Sequence, residues 1–242
     1  MKVTYCTLSD MGDRKNNEDR VVAQKRHNDF CFGLADGLGG HEKGEVASAI
    51  VTDTAVRAFL KEGFTEFYLR EVFEIAQENL MKEQKKRMLE GEMKTTFVLL
   101  GINREQVNWG HIGDSRLYHF QGKRLVKHTL DHSVPQMLVN IGEIEEKDIR
   151  EHPDRSRVLK VMGMEWERPF YEVAEPIPVK LGQSFLMCTD GFWENIVEED
   201  MVMCLKKSKS VYEWVTRMEE KVKENAVGKD MDNYSAIGVW IR

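Results

Sequence analysis

Short apolar runs recur along this chain at 3–8, 30–35, 96–102, 106–112, 116–120, 184–189 and 235–241, and turn residues separate many of them. Runs of this length rich in Val, Ile, Leu, Phe and Trp predict β-strands, and Gln121-Gly122 reads as a hairpin tip. Helical spacing appears in three places. Ala47, Ile50, Val51, Thr54, Ala55, Ala58 and Phe59 share one face; Leu69, Val72, Phe73, Ala76 and Leu80 share another; Val211, Trp214, Val215, Met218 and Val222 form a third. Strands gathered apart from paired helices predict an α+β architecture, a β-sandwich of two antiparallel sheets flanked by helices on both outer faces, rather than an alternating βαβ fold.

Composition narrows this picture. A chain of 242 residues that is 41% hydrophobic can bury one substantial core. No Pro/Gly/Ser-rich linker, repeat or low-complexity tract interrupts it, so a single domain over 1–242 is expected. The net charge of -6 argues against a protein that tracks a nucleic-acid backbone, which needs a basic stripe. Cys6, Cys31, Cys188 and Cys204 show no CxxC spacing, which fits a reducing cytoplasm. The N-terminal residues read as a strand rather than a signal peptide, and no apolar stretch approaches the roughly 20 residues of a membrane span.

The chemistry lies where the apolar strands stop. The run 30–35 meets Asp36-Gly37, the run ending at Thr189 meets Asp190-Gly191, the run through Trp109 and Ile112 meets Gly113-Asp114, and Asp232-Asn233 precedes the last strand. A single Asp-Gly after a strand is most often just a turn. Several aspartates converging in one cleft, however, repel one another unless they are protonated or hold cations. Oxygen-only ligands favour magnesium or manganese.

Taken together, Arg14-Lys15-Asn16-Asn17-Glu18-Asp19, Asp36-Gly37-Leu38-Gly39-Gly40, Thr95-Thr96, Gly113-Asp114-Ser115-Arg116, Asp131-His132-Ser133, Thr189-Asp190-Gly191 and Asp232-Asn233 occur in an order and spacing that resembles the type 2C (PPM) family of metal-dependent protein phosphatases. The resemblance spans essentially the whole chain. It implies two Mn2+ or Mg2+ ions, with Asp36 bridging both, the Gly37 carbonyl on one, and Asp190 and Asp232 on the other. It further implies that Glu18 and Asp19 touch the ions directly or through their waters, that Asn233 supports them from outside, and that Asp114 shares a weaker third position with Asp190.

By the same resemblance, the reaction expected is hydrolysis of phosphoserine and phosphothreonine by a metal-bridging water, whose pKa two cations lower from about 15.7 toward neutrality. Arg14 is the candidate to clamp the phosphoryl oxygens, since a guanidinium matches two of them at once. Some family members carry histidine after the Asp-Gly pair, where this chain has Leu38; His41 lies nearby in sequence, and water on the third metal is the expected proton donor. Asp131, His132 and Ser133 are expected to be structural, and 134–169 to form a flap beside the site. Expected partners are phosphoproteins, among them the substrates of a serine/threonine kinase and the kinase itself, with the phosphatase a monomer. Two alternatives share the fold: an inactive binding module, and an esterase for small phosphate esters.

Overall fold

In the computed structural model, which describes residues 1–38 and 43–242, the apolar runs form two facing antiparallel sheets. One sheet has the order β1 (Val3–Asp10), β13 (Tyr234–Ile241), β12 (Gln183–Cys188), β8 (Arg116–Gln121), β9 (Arg124–His128). The other runs β10 (Glu172–Val173), β7 (Gln106–Ile112), β6 (Phe97–Ile102), β3 (Asp29–Ala35), β2 (Arg20–Arg26), with β11 (Ile177–Pro178) also on β7. A small third ladder pairs β4 (Gly37–Leu38) with β5 (Lys94–Thr95).

The central strands are apolar on both faces because both faces are covered. In β3, Phe30, Phe32 and Leu34 pack between the sheets against Leu100, Phe185 and Val239. Cys31 and Ala35 point the other way, to α1 (Lys43–Glu62) and α2 (Tyr68–Arg87), where Val51, Phe59 and Phe73 lie. On the opposite sheet Leu186 and Cys188 face α5 (Glu198–Lys207) and α6 (Val211–Asn225), around Trp214. Each fully buried Leu or Phe contributes about 1.5–3 kcal/mol. The result is the four-layer helix–sheet–sheet–helix sandwich that the strand and helix pattern predicts.

Several elements go beyond the sequence expectation. β2 is a half-exposed edge strand whose charges hide its alternation, and β9 is of the same kind. α5 presents only Met201, Cys204 and Leu205 to the core. The expected flap region holds α3 (Val134–Asn140), capped by the Ser133 hydroxyl accepting from the Gln136 amide, and a 3-10 turn over Glu146–Glu151. The basic run at 82–87 is a solvated face, with Lys82 on Glu78 and Arg87 on Glu83, except for buried Gln84. The four cysteines are free. Among the described residues no helix is long and apolar enough to cross a membrane.

Candidate active site

The predicted aspartates meet at one end of the sandwich. Asp36 leaves the end of β3 in one sheet. Asp190 follows β12 and opens the short α4 (Asp190–Trp193), while Asp232 lies just ahead of β13, both in the other sheet. Asp114 sits on the turn from β7 to β8, where the chain passes between sheets. A cleft of about 400 Å³ is lined by Arg14, Glu18, Asp36, Gly37, Asp114, Asp190, Asp232 and Asn233, all singled out by the sequence, with Leu38 and Lys15. Asp19, close to Asp190 and Asp232 but not lining the cleft, is 7% exposed.

Local hydrogen bonds explain why these residues converge. The Asp36 amide donates to Thr96 Oγ1 at 3.0 Å, and the Asp36 carbonyl accepts from the Thr96 amide at 2.9 Å and Thr95 Oγ1 at 2.8 Å. Thr96 Oγ1 also shares a 2.7 Å bond with Ser115 Oγ, tying the Asp36 strand end to the Asp114 turn. Trp193 Nε1 donates to the Asp114 carbonyl at 2.9 Å. Asn233 Oδ1 accepts from the Glu18 amide, and its Nδ2 donates to the Met11 and Asn16 carbonyls, so it staples the N-terminal motif to β13. Its contacts are thus with backbone. Gly37 packs so tightly on Gly44 that a Cβ on Gly37 would lie 2.3 Å from the Gly44 carbonyl.

The electrostatics are those of a carboxylate cluster short of positive charge. Burial, then the neighbouring carboxylates, hold Asp36 and Asp114 well above the usual range, and Asp190 is raised by burial and by Asp232. Asp19 is pushed up to about 7, first by burial, although Thr189 Oγ1 donates to its Oδ2 at 3.0 Å. Its other oxygen, Oδ1, is buried with no hydrogen-bond partner among the described residues. A buried carboxylate oxygen with no hydrogen-bond partner among the described residues, close to an acidic cluster, fits a hard divalent cation, as does a donor set made of oxygen alone.

Arg14 lies at the rim, half exposed, with Nε and a terminal nitrogen on the two oxygens of Asp232 at 2.9 and 3.0 Å. Ser156 and Val158 of the expected flap border the cleft. Beside it opens a second cavity of about 640 Å³ that shares Arg14, Asp190 and Asp232 and adds Arg155 and Lys229. His41 lies outside the described residues. Asp131 makes a buried two-pronged pair with Arg116, at 2.8 and 2.7 Å, and Ser133 is the α3 cap, so both are structural as expected. Thr96, Ser115, Thr189, Trp193 and Gly44 also position the site; all but Gly44, which packs on Gly37, act through a partner distant in sequence.

Comparison with known proteins agrees with this geometry. The family model described as protein phosphatase 2C matches residues 9–233. The serine/threonine phosphatase stp of Listeria welshimeri is 31% identical over 208 residues, covering 83% of this chain and 81% of its own. The fold is similar to that of serine/threonine phosphatase Stp1 from Staphylococcus aureus, with a TM-score of 0.90 and 25% identity, over 100% of this chain and 96% of that one. It is also similar to the catalytic domain of the serine/threonine protein phosphatase PstP in complex with two manganese ions, with a TM-score of 0.84 and 25% identity over 99% of both chains. With the acidic cleft at the sheet ends and a family match across nearly its whole length, this chain belongs to the protein phosphatase 2C family.

Proposed function

We propose that the chain is a metal-dependent protein phosphatase that hydrolyses phosphoserine and phosphothreonine esters, with 1–242 as one catalytic domain. The observation that carries the reading is the convergence of Asp36, Asp114, Asp190 and Asp232 around one cleft, with buried Asp19 close to this cluster and its Oδ1 without a hydrogen-bond partner among the described residues. The manganese in a similar phosphatase structure supports Mn2+ or Mg2+ as the cations.

Asp36, Asp190, Asp232 and the Gly37 carbonyl would hold two divalent ions, Asp19 would support them from close by, and Asp114 with Asp190 would hold a weaker third. Bound there, such ions supply Lewis acidity and make a nucleophilic hydroxide available near neutral pH. The chain supplies the rest. Thr95 and Thr96 fix the Asp36 backbone, Asn233 fixes that of Glu18, and Arg14 keeps Asp232 oriented while presenting an exposed guanidinium to a phosphoryl group. Leu38 lines the cleft directly after Asp36-Gly37, so the residue at that position offers no proton, and water is the donor assigned to the leaving alkoxide. Free cysteines fit a cytoplasmic enzyme, acting as a monomer on the products of serine/threonine kinases and on the kinases themselves.

Comparing phosphate release from phosphothreonine peptides with release from free phosphometabolites tests the substrate class. Preference for the peptides is expected. Equal or better turnover of the small esters would replace the reading with a small-molecule esterase.

A further inference from the structure

His132 is 7% exposed and lies outside the carboxylate cluster, yet its polar groups join three separate segments. Its backbone amide donates to the Gly113 carbonyl at 2.9 Å, and its Nδ1 accepts from the Gly113 amide at 3.2 Å, so one residue holds both polar groups of the glycine that precedes Asp114. Its own carbonyl accepts from the Leu159 amide at 2.7 Å, within the expected flap. Its Nε2 faces Glu172 Oε1 at 3.2 Å, just after the flap on β10. His111 stacks on the ring, with centroids 4.8 Å apart and planes at 11°, and is itself anchored by Nε2 to the Leu130 carbonyl at 2.8 Å.

His111, His132 and Glu172 lie close enough together to suggest a metal site of their own. The hydrogen bonds argue otherwise. A ring nitrogen that accepts from an amide carries the lone pair, so the proton of neutral His132 sits on Nε2 and is donated to Glu172. Turning Nε2 into a ligand atom would put a proton on Nδ1, facing the Gly113 N–H.

Gly113 has no slack with which to absorb a loss of this clamp. Its φ of +103° is a glycine conformation, and a Cβ there would lie 2.6 Å from the Thr96 side chain. The next two residues are held as well, Asp114 through its carbonyl by Trp193 and Ser115 through its hydroxyl by Thr96. The backbone is therefore fixed on both sides of the Asp114 carboxylate, and His132 supplies the upstream half. The geometry points to His132 as a positioning residue for metal binding at Asp114, locked in its tautomer by Glu172 and tied by its backbone to the expected flap. This rests on the reading of Asp114 as the ligand of a weaker third ion.

Manganese titration by calorimetry, with melting curves alongside, on the wild type, His132→Ala, His132→Asn, His132→Gln and Asp114→Asn tests it. Asparagine places an amide oxygen near the Nδ1 position and can still accept from Gly113, whereas glutamine reaches the Nε2 position and can serve only Glu172. Partners that orient a ligand typically govern metal affinity by 10–100-fold. His132→Ala should therefore weaken the weakest manganese site by about 10-fold or more, His132→Asn should restore most of that loss, and His132→Gln should not. Asp114→Asn should remove the same site. If alanine leaves the weakest site unchanged while Asp114→Asn removes it, the role assigned to His132 is wrong. The same holds if glutamine rescues as well as asparagine, or if every site weakens equally along with the melting midpoint. If Asp114→Asn leaves the weakest site intact, the reading of Asp114 falls, and this inference with it.

Discussion

At the residue scale, the acidic cleft is a set of side chains whose neighbours are arranged for charge. Arg14 is the cation we assign to the phosphoryl group, and it already spends two bonds on Asp232. Charge-assisted bonds are worth about 1.5–3 kcal/mol, so Arg14→Ala should lower kcat/KM for a phosphopeptide by about 10–100-fold, and Arg14→Lys should recover only part. Steady-state kinetics at saturating manganese checks this; a loss under about 2-fold would remove Arg14 from phosphate binding. His119 shows the opposite use of a titratable group. It is 7% exposed, stacks on Phe185, has no hydrogen-bond partner on either ring nitrogen among the described residues, and is lowered to about 4 by burial and then by Lys127. The unfolded chain takes up the proton near 6.5, so the stability from a neutral His119 is complete above that pH and is lost as pH falls toward 4. His119→Leu should make the fall in melting midpoint between pH 6.5 and 4 shallower, as thermal melts across that range would show. An unchanged slope would mean that His119 does not titrate there.

At the element scale, the site depends on close approaches between segments. The start of α1 reaches the metal end because Gly44 and Gly37 meet backbone to backbone, and a Cβ on Gly44 would lie 2.4 Å from Glu18 Oε2 and 2.6 Å from the Gly37 carbonyl carbon. Gly44→Ala should cost about 1–3 kcal/mol and reduce manganese affinity as well, measurable by denaturant unfolding and calorimetry. Between the β8 strand and the segment after β9, Arg116 and Asp131 form an ion pair with each side chain 1% exposed, and Trp193 stacks 3.5 Å from the guanidinium. Asp131→Ala leaves that cation buried without its carboxylate and should cost about 3–5 kcal/mol, the penalty for breaking a buried pair from one side. Here too lies the boundary of what the sequence could tell. The central strands were legible because both faces are apolar, and the four strand-end aspartates were legible only as a set, since any one Asp-Gly after a strand is most often just a turn. β2 and α5 were not, since their half-exposed faces dilute the periodic signal. The positioning role of Thr96, Gly44 and His132 was not legible either, because each acts on a partner brought near only by folding, Thr96 on Asp36 across 60 residues and His132 on Gly113 across 19.

At the scale of the whole molecule, two sheets supply one cleft. Asp36 comes from the end of one sheet, Asp190 and Asp232 from the end of the other, and Asp114 from the turn between them, so the proposed ligand set comes together only when the sandwich is closed. The core between the sheets, from Phe32 and Leu100 to Phe185 and Val239, therefore fixes the spacing of the catalytic end as well as stabilising the fold. A divalent cation that bound only this closed cluster would stabilise the folded state. The most direct test of the account is phosphate release from a phosphothreonine peptide, measured with manganese, with magnesium and with chelator, for the wild type, Asp36→Asn and Asp190→Asn. Release that needs a divalent cation and disappears in both variants is the predicted result. Release that persists in chelator, or in either folded variant, or that never occurs with any metal across a broad peptide panel, would contradict it.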